Sequence, residues 1–226
     1  DRGENSTVIP GTERFIFDQP NAYIAFYELQ SAKRMLLQLQ FQATMDLCNN
    51  INRHLLSKHD EQARNQLWHL ANAYNNWDKF RHAEAANIFG RQRTVHSDLE
   101  ELMPSADTVQ RLHEIGQSAS GKFSEALIAD LVANVDRRLR EGAWDNAVAR
   151  MYRATEMLAQ FALASHSPTF NTSEVQLDSF PKETRHKLET ITHGETRIGI
   201  DKAYRVLEAL DSDLGPAYLQ KGGVTD

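Results

Sequence analysis

A single cysteine, Cys48, among 226 residues leaves no intrachain disulfide to form, and a lone thiol favours an intracellular, cytoplasmic setting. No apolar run approaches the roughly 18 residues that would suggest a membrane span, so no membrane partner is expected. The chain begins Asp1-Arg2-Gly3-Glu4-Asn5. It shows neither the basic-then-apolar layout of a secretory leader nor an initiator methionine, as in a fragment or a processed chain. Also missing are a glycine-rich phosphate loop, a His-Glu-x-x-His zinc motif, paired cysteines and a nucleophile elbow, which removes most support for the common motif-bearing enzymes. Positive charge is short as well. With 31 acids against 25 bases and a net charge of −6, the surface as a whole disfavours phosphate, and any nucleic-acid contact has to be local.

What is present is ordinary for a globular protein: 41% hydrophobic and 25% charged residues, enough for one large domain or two small ones. Residues 1–20 hold Gly3, Pro10, Gly11 and Pro20 around short apolar pieces, and read as a connector with turns or an extended segment. From Asn21 the period becomes helical. A first helix carries Ile24, Tyr27, Ala32, Met35, Leu36 and Leu39, and breaks near residues 38–40. A second runs through Phe41, Met45, Cys48 and Ile51, and a third through Ala63, Leu67, Leu70, Ala71, Tyr74 and Trp77. A fourth begins at Phe80, and Asp107 opens a helix through Leu112 and Ile115 that Gly116 ends. Short links between these helices make neighbours antiparallel.

Residues 117–121, Gln-Ser-Ala-Ser-Gly, form the most linker-like run, after which Ser124 and Glu125 start a long helix to Leu139. Gly142 separates it from a helix reading Trp144, Ala147, Val148, Met151, Thr155, Leu158 and Ala162 at steps of three and four, a stripe expected to be buried. Residues 165–181 predict a long loop with apolar points at Phe170, Val175, Leu177 and Phe180. Residues 182–191 predict a helix, and Asp201 caps a last clear one that closes near Gly215-Pro216. The fold class is therefore all-α. Aromatics set shortly before an alanine at three elbows, Phe41, Phe80 and Trp144, resemble tetratricopeptide-type hairpins, although irregularly.

Polar chemistry is sparse. Nine histidines are scattered without an i,i+4 partner, so no metal site and no cofactor is expected. A metal-free RNA cleavage, with an arginine steadying phosphate and a histidine moving a proton, would need Arg and His with four to six residues between them. Arg53/His59, Arg64/His69 and Arg91/His96 have that spacing, but roughly two such pairs arise by chance in a chain of this composition, so no catalytic residue is assigned. Residues 136–153 gather Arg137, Arg138, Arg140, Arg150 and Arg153 against Asp136, Glu141 and Asp145. Arg150, Arg153 and Glu156 share one helix face, read either as a solvated face with an ion pair or as a placed cluster.

Several stretches together resemble a known group: CRISPR-associated effectors that join an N-terminal CARF nucleotide-sensing domain to a C-terminal helical HEPN ribonuclease domain. Val8-Ile9-Pro10-Gly11-Thr12-Glu13-Arg14 looks like the exit from the sensor, and residues 70–80, Leu-Ala-Asn-Ala-Tyr-Asn-Asn-Trp-Asp-Lys-Phe, like the helical middle section. Residues 144–156, Trp-Asp-Asn-Ala-Val-Ala-Arg-Met-Tyr-Arg-Ala-Thr-Glu, are the most family-like piece. Asn171-Thr172-Ser173-Glu174-Val175 and Ala203-Tyr204-Arg205-Val206-Leu207 follow in order.

The resemblance implies a connector at 1–20 from a sensor outside these residues, a helical-hairpin region at 21–116, and a HEPN-like bundle at 122–226. It implies RNA as substrate, a homodimer, and activation by cyclic oligoadenylate through the sensor. It further implies that Arg150, Arg153 and Glu156 support the dimer interface or the RNA path. The family's Arg-polar-spacer-His motif, due after the last helix, has no counterpart before Asp226, so the chain by itself is expected to be inactive. A non-catalytic helical-hairpin module that binds a peptide or protein is the alternative reading.

Overall fold

The computed structural model describes residues 20–92, 95–117, 124–167 and 169–221. The expected connector, apart from Pro20, and most of the linker-like run lie outside the described residues. Within them every regular element is helical, and the only strand-like pairing is an isolated bridge between Asn171 and Glu174. The chain is all-α and divides into two units. One runs up to Lys79 and includes Asn87–Ser105; the other comprises Phe80–Ala86 and the residues from Ala106 onward.

The first unit is built on α1 (Pro20–Leu37), α2 (Phe41–Asn50) and α3 (Lys58–Asp78), with the end of α4 (His82–Arg91) and a short 3-10 helix at Ser97–Leu102. Proline at the start of α1 costs no hydrogen bond there. The predicted break falls at Leu39, whose φ of 64° turns the chain into α2. Ser57 caps α3 by accepting from the Asp60 amide at 3.1 Å. The core stripe of α1 is Ala25, Leu29, Ala32 and Leu36; Ala32 and Leu36 are as expected, while Ile24 and Tyr27 point to solvent and Ala25 and Leu29 take their place. The stripe of α3, Ala63, Leu67, Leu70 and Ala71, is as the periodicity predicts. Phe41 stacks on Tyr74 at 5.7 Å between ring centroids, and Trp77 and Phe89 complete that aromatic cluster.

In the second unit, α5 (Ala106–Gln117), α6 (Glu125–Arg140) and α7 (Trp144–His166) precede α8 (Lys182–Thr192), α9 (Ile200–Ala209) and the short α10 (Leu214–Leu219). Ser124 caps α6 through the Leu127 amide, and Gly142, at φ 72°, makes the α6–α7 turn that a side chain would strain. The main core joins Leu163 of α7 to Leu188, Val206 and Leu207, with Phe170 and Phe180 inserted from the intervening loop. That loop is held by backbone bonds from Val175 to Thr196 and from Ile198 to Thr172, each 2.9 Å. Gly215-Pro216, expected to close a helix, instead lies in the first turn of α10, where proline needs no amide partner.

Burial acts on three acidic protons. It pushes the Cys48 thiol from 9.0 to about 11, against a smaller opposing pull from Arg64, and the Tyr74 and Tyr204 phenols from 10.0 to about 12. For each group the folded chain keeps a proton that the unfolded chain gives up first. This contribution is therefore fully present below pH 9 and is lost as pH rises through roughly 9 to 12. Thermal unfolding followed by circular dichroism is expected to show a falling midpoint above pH 9, with Cys48→Ala removing the earliest part of the fall; a flat profile to pH 11 would contradict it.

Candidate functional site

The α6–α7 hairpin carries the residues that the sequence singles out. Its arginines are engaged close to home. Arg138 meets Glu141 at 2.8 Å, Arg140 meets Asp136 at 2.7 Å, and Arg153 donates to Glu156 at 2.6 Å. Arg150 is half-buried and its Nη1 donates to the Asn146 carbonyl at 3.4 Å within its own helix. The Arg153–Glu156 pair is thus a formed i,i+3 ion pair, while Arg150 turns the other way. Both partners of that pair are partly exposed, so it contributes at most about 1 kcal/mol. A phosphate would have to compete with local carboxylates for Arg138, Arg140 and Arg153.

The expected burial of the α7 stripe holds at Ala147 and Ala162 and is corrected at its bulky members. Trp144 and Val148 are 65% and 69% exposed, and Met151 and Tyr152 also face solvent. The buried face is offset: Ala147, Ala154, Met157, Ala162 and Leu163. Ala154 and Met157 pack on Leu131 of α6, with Leu127, Ile128 and Phe80 around them. This packing sets the rotation of α7 about its axis and leaves Trp144, Val148 and Met151 outward. The elbow comparison fails here for the same reason, since Phe41 is buried whereas Trp144 is not. Positions 144, 148, 151 and 152 follow one another at helical spacing, so the outcome is a continuous apolar face on α7. Val132 and Leu139 of α6 are exposed as well.

The Arg/His pairs with nuclease-like spacing do not converge on one another. Arg64 donates to the Cys48 carbonyl at 2.9 Å and to Asn65 Oδ1 at 2.6 Å, and the His69 ring sits edge-on to Trp68. His59 and His96, drawn from two different pairs, instead face each other. Sequence reasoning missed His82 and Asp130, which meet at 2.9 Å with side chains only 5% and 8% exposed. A carboxylate and the imidazole it orients are two of the three parts of a catalytic triad. This pair is sealed from solvent, so it serves to fix the start of α4 against α6. Forty-eight residues separate the two, and no spacing rule connects them.

Against known families, residues 25–116 match the Csm6 6H domain and residues 117–224 match the Csm6 HEPN domain. The class is that of CRISPR-associated effector ribonucleases with a helical HEPN domain. The chain belongs to the CRISPR-associated Csm6 family. No curated protein and no solved structure matches the chain. Among the described residues, no helix is long and apolar enough to cross a membrane.

Proposed function

We propose that this chain is the helical-hairpin and HEPN portion of a cytoplasmic antiviral ribonuclease whose RNA cleavage is switched on, in the intact protein, by cyclic oligoadenylate bound at a separate sensor domain. The observation that carries this reading is the HEPN match over residues 117–224. In it, two copies pair through the outward face of α7. Trp144, Val148, Met151 and Tyr152 are too large and too exposed to be neutral surface residues. Arg153 and Glu156 continue the same helix beyond that face and lie at its polar rim, where they and Arg150 support the interface or the RNA path. RNA would be cut where the two HEPN regions meet, by an arginine that steadies phosphate charge and a histidine that moves a proton. Arg138, Arg140 and Arg153 are each engaged by a carboxylate of their own hairpin, which supports the reading that the chain alone is inactive.

A fluorogenic RNA oligonucleotide tests this. The intact protein is expected to cleave it on addition of cyclic oligoadenylate, and the 226-residue chain is expected not to cleave it at all. Efficient cleavage by the chain alone would overturn the inactivity. Val148→Asp, placed in the intact protein, is expected to convert a dimer into a monomer in sedimentation and to lower cleavage at least tenfold, on the order of the cost of a carboxylate in an apolar interface. Because Val148 is exposed, the far-ultraviolet circular-dichroism spectrum of the isolated chain should not change. An unchanged dimer with full activity would remove α7 from the interface.

A further inference from the structure

His59, in the first turn of α3, and His96, immediately before the 3-10 helix at Ser97–Leu102, bring their rings together across 37 residues of sequence. Nδ1 of His59 lies 3.2 Å from Nε2 of His96. One ring nitrogen from each and a carboxylate oxygen of Asp98 all lie within 4.8 Å of one another. The His96 side chain is only 6% exposed, while His59 and Asp98 open to solvent. Its backbone is pinned as well, since the His96 amide donates to Gln66 Oε1 at 2.6 Å.

We infer that His59, His96 and Asp98 form a binding site for a borderline divalent cation of the Zn(II), Co(II) or Ni(II) class. Two imidazole nitrogens and a carboxylate are the donor set such ions take, and they leave a position open to water. Two nitrogens bound at about 2.0–2.1 Å with a tetrahedral angle stand roughly 3.3 Å apart, close to the spacing already present between the facing rings. The rings are tilted by 55°, so one must turn for both lone pairs to point at a shared ion. His59 is the exposed one, and the second side-chain torsion of histidine is soft.

The site is assembled but not fully arranged for metal. The Asp98 amide donates to Nδ1 of His96 at 3.3 Å, which puts the His96 proton on Nε2, toward His59. Binding moves that proton to Nδ1 and turns the Asp98 amide to water. The positive charge also enters near the N-terminus of α3, where the helix dipole opposes a cation, although Asp60 and Glu61 in the same turn offset it. These costs set an affinity in the micromolar range, about 1–50 μM, rather than that of a preorganised structural zinc site. The bound ion would tie α3 to the 3-10 helix, whose Asp98 carbonyl already accepts a hydrogen bond from Lys33 of α1. It is therefore a staple of the first unit, independent of RNA cleavage.

The 226-residue chain, stripped with a chelator, is titrated with Co(II) while the visible ligand-field bands are followed, and with Zn(II) by calorimetry. One equivalent is expected to bind. His59→Ala and Asp98→Asn are each expected to weaken binding tenfold or more, with little change in the metal-free thermal midpoint because both side chains are exposed. His54→Ala, an exposed histidine outside the cluster, should bind as the parent does. Absence of saturable binding by the parent chain, or binding that survives His59→Ala, would overturn the site.

Discussion

Leu207→Ala should remove a large share of the second unit's stability. Leu207 is fully enclosed in the core formed by α7, α8, α9 and the loop points Phe170 and Phe180. Truncating such a leucine removes its transfer free energy and leaves a void that packed neighbours fill only in part, a combined cost of about 3–5 kcal/mol. A domain of this kind has about 5–15 kcal/mol in all. The circular-dichroism midpoint should fall by ten degrees or more, with helical signal from the first unit persisting if the two units melt separately. Leu207→Met, which keeps the volume, should cost less than about 1.5 kcal/mol. A Leu207→Ala midpoint within two degrees of the parent would mean that α9 is not the centre of this core.

Gly215→Ala should have the next largest effect, for a steric reason. A Cβ at Gly215 would lie 2.6 Å from the Glu208 Cα and 2.7 Å from its Cβ, and closer still to the Glu208 amide nitrogen. These are backbone and near-backbone atoms that no rotamer change can move aside. The least costly relief is for α10 to lift from α9, which would break the stack of Tyr218 on Tyr204, where the rings lie 4.0 Å apart and nearly parallel. The expected loss is about 2–4 kcal/mol, bounded by the aromatic contact and the apolar area that α10 buries. It should appear as a lower midpoint together with a change in tyrosine near-ultraviolet dichroism. Gly90→Ala, where an added Cβ meets nothing, should be neutral or slightly stabilising, since alanine favours helix.

The Arg/His spacing offered three pairs in the sequence, yet the contact that forms is between histidines of two different pairs. Spacing along one helix reports neighbours on that helix. It says nothing about residues that meet after two elements pack. His82 with Asp130, and His59 with His96, were invisible for this reason. By contrast, the Arg153–Glu156 ion pair is local, three residues apart, and could be read directly.

Helix identity and most helix limits were determined by the sequence alone. Ser124 as a cap, the break at residues 38–40 and the turn at Gly142 all act through hydrogen bonds and torsions within a few residues. Rotation of each helix about its own axis was not so determined. On α7 the expected stripe divides: Ala147 and Ala162 are buried as the periodicity predicts, whereas Trp144, Val148 and Met151 face solvent and Ala154, Met157 and Leu163 complete the buried face. Periodicity weighs hydrophobicity and groups the bulky residues with the core. The rotation is set instead by the partner helix, since Ala154 and Met157 are the residues that pack on Leu131 of α6. That rotation turns the chain's most family-like stretch from an expected core into an exposed apolar surface.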